Sequence, residues 1–461
     1  EKGFRNPPAE SRLRCYWWWL NSMVTKESIT RDLEEMKAKG YGGASLVYAC
    51  RSNYLVAAQT AAGSVLFCAE WMEMFKHAVK EAERVGIELS VNVQSGWNPG
   101  APSITPEFAM KKIVWSEVDV TGGKMISIEL PQPEKKLMYQ DVIVQAIPKK
   151  KGVPVQNEAI KNWGKKSFND RFGSQGVYPL YEMREDYPGE GSELSVRKDE
   201  IIDLSGNYQS GKLEWNAPEG NWTIIRYGYT CTGARTSTNS DGWEGLSVDH
   251  LSPKAFELFS NAVIIPLIEA AQSAGNSVKF LQTDSWEMNL VSWTNRFPEE
   301  FRKFRGYDMQ KYMPVLAGRI VENRDQTNRF LHDFRKTVGD CVAEYHYQLF
   351  YNLAHKYGMG IHPESGGPHS APVDALRVMG ISDFPQGEFW AVANTHRVKD
   401  DARLSVKQSA CVAHTNGKRF VDAEGPTSIG PQWERAPKAH IGQIDRDLCL
   451  GGSSKRVISL T

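Results

Sequence analysis

Short apolar runs alternate with amphipathic stretches from the start of the chain. Residues 14–19, Arg-Cys-Tyr-Trp-Trp-Trp, read as a buried strand. Thr25 or Ser28 then caps a helix over 29–39, where Ile29, Leu33 and Met36 recur at helical spacing and Gly40 marks the stop. The run 43–48 predicts a second strand, 70–85 a helix closed by Gly86, and 87–93 a third strand leading into Gln94-Ser95-Gly96-Trp97. This β-α-β-α-β rhythm belongs to a parallel sheet.

Between about 112 and 232 the period becomes two and helical signals nearly vanish. Runs at 142–147, 200–204, 212–215 and 222–227 are separated by turns such as Pro218-Glu219-Gly220-Asn221. They predict an inserted antiparallel β-sandwich-like domain. Alternation resumes with a helix over 252–274 and a fourth strand at 278–283. Helical stretches at 298–305 and 325–357 precede a fifth strand near 359–362. A sixth is expected at 378–381, with Glu388-Phe389-Trp390 on its outgoing loop. A helix over 401–416, a seventh strand at 419–423, a helical 438–450 and an eighth strand at 455–460 complete the series.

Eight strands with intervening helices predict an α/β chain, a (β/α)8 TIM-type barrel. Residues 1–111 would supply strands one to three, 112–232 the inserted β-domain, and 233–461 strands four to eight. A barrel ending on its last strand would leave apolar surface bare, so the native polypeptide is expected to continue.

At 41% hydrophobic residues the composition is that of a globular chain with an ample core. Lys+Arg and Asp+Glu both total 55, so no basic surplus favours a nucleic-acid partner. Seven scattered cysteines, an odd number without a C-x-x-C pair, argue against a disulfide scaffold or structural zinc and for buried thiols. No run of 18 apolar residues occurs, so no membrane span is expected. The start, Glu1-Lys2-Gly3-Phe4, lacks an initiator Met and an apolar leader. It predicts a trimmed chain of an exported protein.

Chemistry is foreshadowed by four acidic strand ends: Asp284-Ser285-Trp286-Glu287, His362-Pro363-Glu364, Gly387-Glu388-Phe389-Trp390 and Asp422-Ala423-Glu424. In a (β/α)8 barrel all strands end on one face, so these carboxylates would meet in one cleft. Cleavage of a glycosidic bond needs two such groups, one protonated acid and one ionised base or nucleophile. Glu287 and Glu424, on strands across the ring, are the best-placed pair. Glu364 and Glu388 are candidates for sugar hydroxyls or a divalent cation such as calcium. With 14 tryptophans the chain has flat apolar surface to stack sugars on, and Trp18, Trp97, Trp286 and Trp390 are the candidate platforms. His362 and His369 have no zinc spacing and read as polar cleft or core residues. Neither a nucleophile elbow nor a Walker loop nor a dinucleotide fingerprint is present.

The motifs resemble those of glycoside hydrolase family 106, the α-L-rhamnosidases. They are Asn6-Pro7-Pro8 with Tyr16-Trp17-Trp18-Trp19, Thr283-Asp284-Ser285-Trp286-Glu287 with Trp293-Thr294, and Glu300-Phe301 through Arg305-Gly306-Tyr307. Pro363-Glu364-Ser365-Gly366-Gly367, Gly387-Glu388-Phe389-Trp390 and Ala423-Glu424-Gly425-Pro426-Thr427-Ser428 complete them. The chain departs from the pattern at Leu20-Asn21-Ser22 and at Leu450-Gly451-Gly452-Ser453. The resemblance implies an exo-acting, inverting, calcium-assisted enzyme releasing terminal L-rhamnose from a plant or algal, pectic-type polysaccharide. It implies a bacterial periplasmic or cell-surface location. Glu287 would be the general acid and Glu424 the general base, with Asp284, Glu364 and Glu388 handling hydroxyls or metal. Alternatives are a glycosidase of another sugar, a non-catalytic glycan-binding barrel and a polysaccharide lyase.

Overall fold

The computed structural model describes residues 6–8, 11–50, 63–150, 160–169, 195–286, 291–365, 372–392, 404–428, 438, 441–442, 444 and 456–457. Eight strands share one parallel sheet. In chain order they are β1 (Arg14–Leu20), β2 (Gly43–Ala49), β3 (Glu88–Ser95), β4 (Val278–Gln282), β5 (Gly360–Ile361), β6 (Gln386–Val392), β7 (Asp422–Ser428) and β8 (Arg456–Val457). Their order in the sheet is β5-β4-β3-β2-β1-β8-β7-β6. All these ladders are parallel, with Tyr16 beside Ser45, Gln282 beside Asn92 and Glu388 beside Glu424. Among the described residues no ladder joins β5 to β6. The two edges meet through the Asp383 amide on the Ile361 carbonyl (3.0 Å) and His362 Nδ1 on Gln386 Oε1 (2.9 Å).

Each strand follows the period of two. On β1, Trp17 and Trp19 turn outward, Trp17 donating to Asp32 (3.3 Å) and Trp19 meeting Trp71 edge-on. These partners lie on α1 (Lys26–Ala38) and α2 (Ala69–Val85). Thr25 caps α1 by accepting from the Ser28 amide, and Gly86 ends α2 in the left-handed conformation a glycine adopts without strain. Leu46, Leu89, Val91 and Leu281 are outward-facing residues of the same core.

The helix α3 (Pro253–Ala274) is long and apolar enough to cross a membrane by length and mean hydropathy. The sequence expectation counted only uninterrupted apolar runs and so passed over it. Its Phe256, Phe259, Val263 and Leu267 pack into the core against the sheet.

Between β3 and α3 lie antiparallel strands. Asn221–Cys231 is flanked by Lys111–Thr121 and Tyr139–Pro148, and Lys212–Ala217 pairs with Lys124–Glu129. One face of the larger sheet packs on helices over 297–347 through Ile143, Ile225, Trp163 and Val315. The other closes on the smaller sheet through Val144, Ile224, Leu213 and Trp215.

Two elements depart from expectation. The seventh strand, expected at 419–423, runs over Asp422–Ser428, so Glu424 lies within it and not at its end. Residues 378–381 are not the sixth strand but belong to a helix, Ala375–Ile381, and Glu388-Phe389-Trp390 lies within β6 itself. A short apolar run fits a helix face as well as a strand. Here Asp374 decides it, capping the helix by accepting from the Arg377 amide (3.2 Å) while Val378 and Met379 bury one face.

Candidate active site

Inward positions recur at every second residue along β1 and along the four strands that lead to the acids. Tyr16 and Trp18 occupy them on β1. On β4 to β7 a buried polar residue precedes each acid by two positions: Gln282 before Asp284, His362 before Glu364, Gln386 before Glu388, and Asp422 before Glu424. Three of the acids meet. Single carboxylate oxygens of Asp284, Glu364 and Glu424 lie within 4.8 Å of one another.

Glu364 is 1% exposed, whereas Glu424 is only half-buried. Burial, then the carboxylates of Glu424, Asp284 and Glu388, push the Glu364 carboxyl well above the usual carboxylate range. Neighbouring like charges in a dry setting cannot all ionise. The Tyr16 hydroxyl sits between two of them, 3.2 Å from Glu424 Oε2 and 3.4 Å from Glu364 Oε1, and accepts from Gln282 Nε2 (3.0 Å). Thr427 donates to the other Glu424 oxygen (3.1 Å). Gln386 Nε2 donates to Glu364 Oε1 at 2.6 Å. Among the described residues no N–H donor or hydroxyl reaches the buried Glu364 Oε2, and Glu424 is the carboxyl hydrogen-bonded to Glu364.

Glu388 is also buried. Its carboxylate accepts from the Trp390 indole and its amide donates to Ser405 Oγ (2.7 Å). Gly425 lies against the Phe389 ring, where an added Cβ would come within 2.3 Å of ring carbon. A side chain there would force β6 and β7 apart, which accounts for glycine directly after Glu424.

The tryptophans divide. Trp18 stacks on Tyr16 (5.5 Å, 19°) and meets Trp97 edge-on (5.5 Å), and both are half-buried beside the carboxylates. Trp390 is held on Glu388. Trp286 turns away from the cleft, is 4% exposed, and packs on the buried His250 ring (4.7 Å). It belongs to the core and offers no open platform, because β4 ends at Gln282 and strand alternation no longer aims residue 286. Glu287, His369 and Cys449 lie outside the described residues. His362 is a buried network residue; Cys50, Cys231 and Cys341 are buried thiols, while Cys411 is exposed.

The trio fits a hard cation. Calcium favours carboxylate oxygens, and among the described residues no N–H donor or hydroxyl reaches Glu364 Oε2. Of the acids expected to handle hydroxyls or metal, Asp284 and Glu364 are in the trio, with Glu424 beside them, and Glu388 lies outside it. Tyr16, Gln282, Gln386 and Asp422 were not singled out from sequence. Their signal was the position two residues before a mouth acid or a mouth tryptophan, on the same strand face.

The profile of the family described as alpha-L-rhamnosidase, glycoside hydrolase family 106, matches residues 5–458. A curated relative from Formosa agariphila, named "Putative beta-glucuronidase", is 37% identical over 442 residues, covering 95% of this chain and 36% of the relative. The chain thus spans about a third of that relative's length. The solved structure of a rhamnosidase from Novosphingobium sp. PP1Y superposes with a TM-score of 0.81 at 23% identity, over 100% of this chain and 56% of that one. That likeness is one of fold, a mixed α/β architecture. On the match across nearly its whole length, the chain belongs to glycoside hydrolase family 106, the α-L-rhamnosidase family.

Proposed function

We propose that this chain carries the catalytic barrel of an inverting, exo-acting α-L-rhamnosidase. The observation that carries the reading is the convergence of Asp284 and Glu364, two and three residues past β4 and β5, with Glu424 inside β7, near the Trp18–Trp97 aromatic pair. The strand order is that of a ring cut between β5 and β6, and the bonds across that gap support closure into a (β/α)8 barrel.

Glu424 is the base. It is the more exposed of the buried pair, and Tyr16 and Thr427 each hold one of its oxygens, which orients it toward an attacking water. Glu287, three residues beyond Asp284, is the acid that protonates the leaving oxygen. Inversion needs about 6.5–9.5 Å between the two carboxyl groups. Asp284 and Glu364, with Glu424 beside them, would hold calcium, whose charge offsets the crowded carboxylates and draws in sugar hydroxyls. Trp18 and Trp97 would take the apolar face of the sugar. The substrate would be a terminal L-rhamnose on a plant or algal polysaccharide, and the enzyme an exported bacterial protein.

The name of the Formosa relative favours a second reading, a glycosidase of hexuronic acids. The family match over residues 5–458 favours the neutral deoxy sugar. Aryl α-L-rhamnoside and aryl β-D-glucuronide, each assayed with calcium and with a chelator, separate the two. Glu424→Gln and Glu287→Gln are each expected to lower kcat on the rhamnoside by roughly 10²–10⁴-fold. Full turnover in either variant removes that residue from its role.

A further inference from the structure

We infer that Gln386 is a positioning residue, fixing which oxygen of Glu364 is offered to a bound hard cation. The inference rests on the proposed part of Glu364 in holding calcium.

Gln386 is fully buried on β6. Its amide nitrogen donates to Glu364 Oε1 at 2.6 Å and lies 3.4 Å from the Tyr16 hydroxyl. Its amide oxygen faces His362 Nδ1 at 2.9 Å, and His362 Nε2 is bonded to the Ser90 hydroxyl. The polarity of this chain follows from its end. Holding a cation requires the ionised carboxylate, whose oxygens only accept, so the amide then presents its NH2 to Glu364 and its oxygen to His362. The imidazole then carries its proton on Nδ1, which leaves Nε2 to accept from Ser90. Hydroxyl, imidazole, amide and carboxylate therefore form one directed chain, from Ser90 on β3 through His362 past β5 to Gln386 on β6 and back to Glu364.

The consequence is an asymmetry in Glu364. Oε1 is taken by Gln386 and approached by Tyr16, whereas among the described residues no N–H donor or hydroxyl reaches the buried Oε2 of this carboxyl group, which is gathered with Asp284 and Glu424. Residues that orient a metal-binding group in this way commonly change affinity by about 10–100-fold when removed. His362 and Gln386 also bridge the edge between β5 and β6, so orienting the carboxylate and joining the sheet edges fall to the same side chains.

The test uses Gln386→Met, close in volume and without a donor or acceptor. Calcium is titrated calorimetrically into chelator-treated protein below its melting temperature, and rhamnoside kinetics are measured in parallel. The expected result is calcium binding weakened about 10–100-fold at unchanged stoichiometry, with kcat falling more than KM rises. Should Gln386→Met not fold, Ser90→Ala removes only the first hydroxyl and is expected to weaken calcium severalfold. A lowered melting midpoint with an isotherm and kcat within twofold of wild type would overturn the inference, showing the amide to be structural only. Wild type that binds calcium but spares the rhamnoside sinks the rhamnosidase reading, while the isotherms still judge Gln386. Wild type that cleaves without taking up calcium sinks the inference alone; wild type that does neither sinks both.

Discussion

The Tyr16 hydroxyl shows how much one atom can hold in place. It accepts from Gln282 and has a single proton to give, either to Glu424 at 3.2 Å or to Glu364 at 3.4 Å. Hydrogen bonds to charged groups are worth about 1.5–3 kcal/mol, so Tyr16→Phe is expected to lower kcat roughly 10–100-fold while the ring still stacks on Trp18. Steady-state kinetics check this; unchanged turnover would reduce the hydroxyl to packing. The acids were visible in the sequence because each ends an apolar run. Tyr16 was not, because in Tyr16-Trp17-Trp18-Trp19 nothing local marks which rings face the centre. Trp286 misled for a related reason: beside two acids in sequence, it is carried by the turn after β4 onto His250.

At the scale of elements, the antiparallel sheet is tied to the segment before α3 by a buried charge. Lys111, at the start of the first antiparallel strand, is fully buried and donates to the carbonyls of Glu107 (2.7 Å) and Ala109 (2.8 Å) and to Asp249 (3.4 Å). Thr294 donates to the same Asp249 oxygen (2.7 Å). Burial still raises the Asp249 carboxyl above its usual range, Lys111 and Thr294 working against that shift. Lys111→Met would leave Asp249 buried without its cation, and a loss of about 3–5 kcal/mol is expected in chemical unfolding. A shift below about 1 kcal/mol would mean that Asp249 is already neutral. No pattern in the sequence pairs residues 111 and 249, since the contact forms only when the insertion folds back on the loop before α3. The misplaced sixth strand is the opposite case. Asp374 was a legible cap, but a four-residue apolar run carries too little period to choose helix or strand.

For the molecule as a whole, stability should depend on two histidines. The His250 and His346 rings lie 4.2 Å apart, tilted at 53°, and both are buried. Burial holds His250 down to about 3, and burial with the neighbouring His250 holds His346 well below its usual range. Unfolded, both take up protons below about pH 6.5, whereas the folded protein does not. Their contribution is therefore present above pH 6.5 and lost as pH falls toward the folded values, at up to about 1.4 kcal/mol per histidine per pH unit. His346→Phe should reduce the loss of stability between pH 7 and pH 5 by about 2 kcal/mol in urea unfolding. An identical pH slope would show that the pair does not control it. The sequence by itself determined the alternation of elements, the family and the acids at the strand ends, because each is written in neighbouring residues. The parallel sheet then decided which acids meet. Asp284, Glu364 and Glu424 share a centre only because β4, β5 and β7 run the same way to one end. Tertiary structure alone also placed Tyr16 and Gln386 between them, since burial and charge crowding arise from distances that no local pattern records.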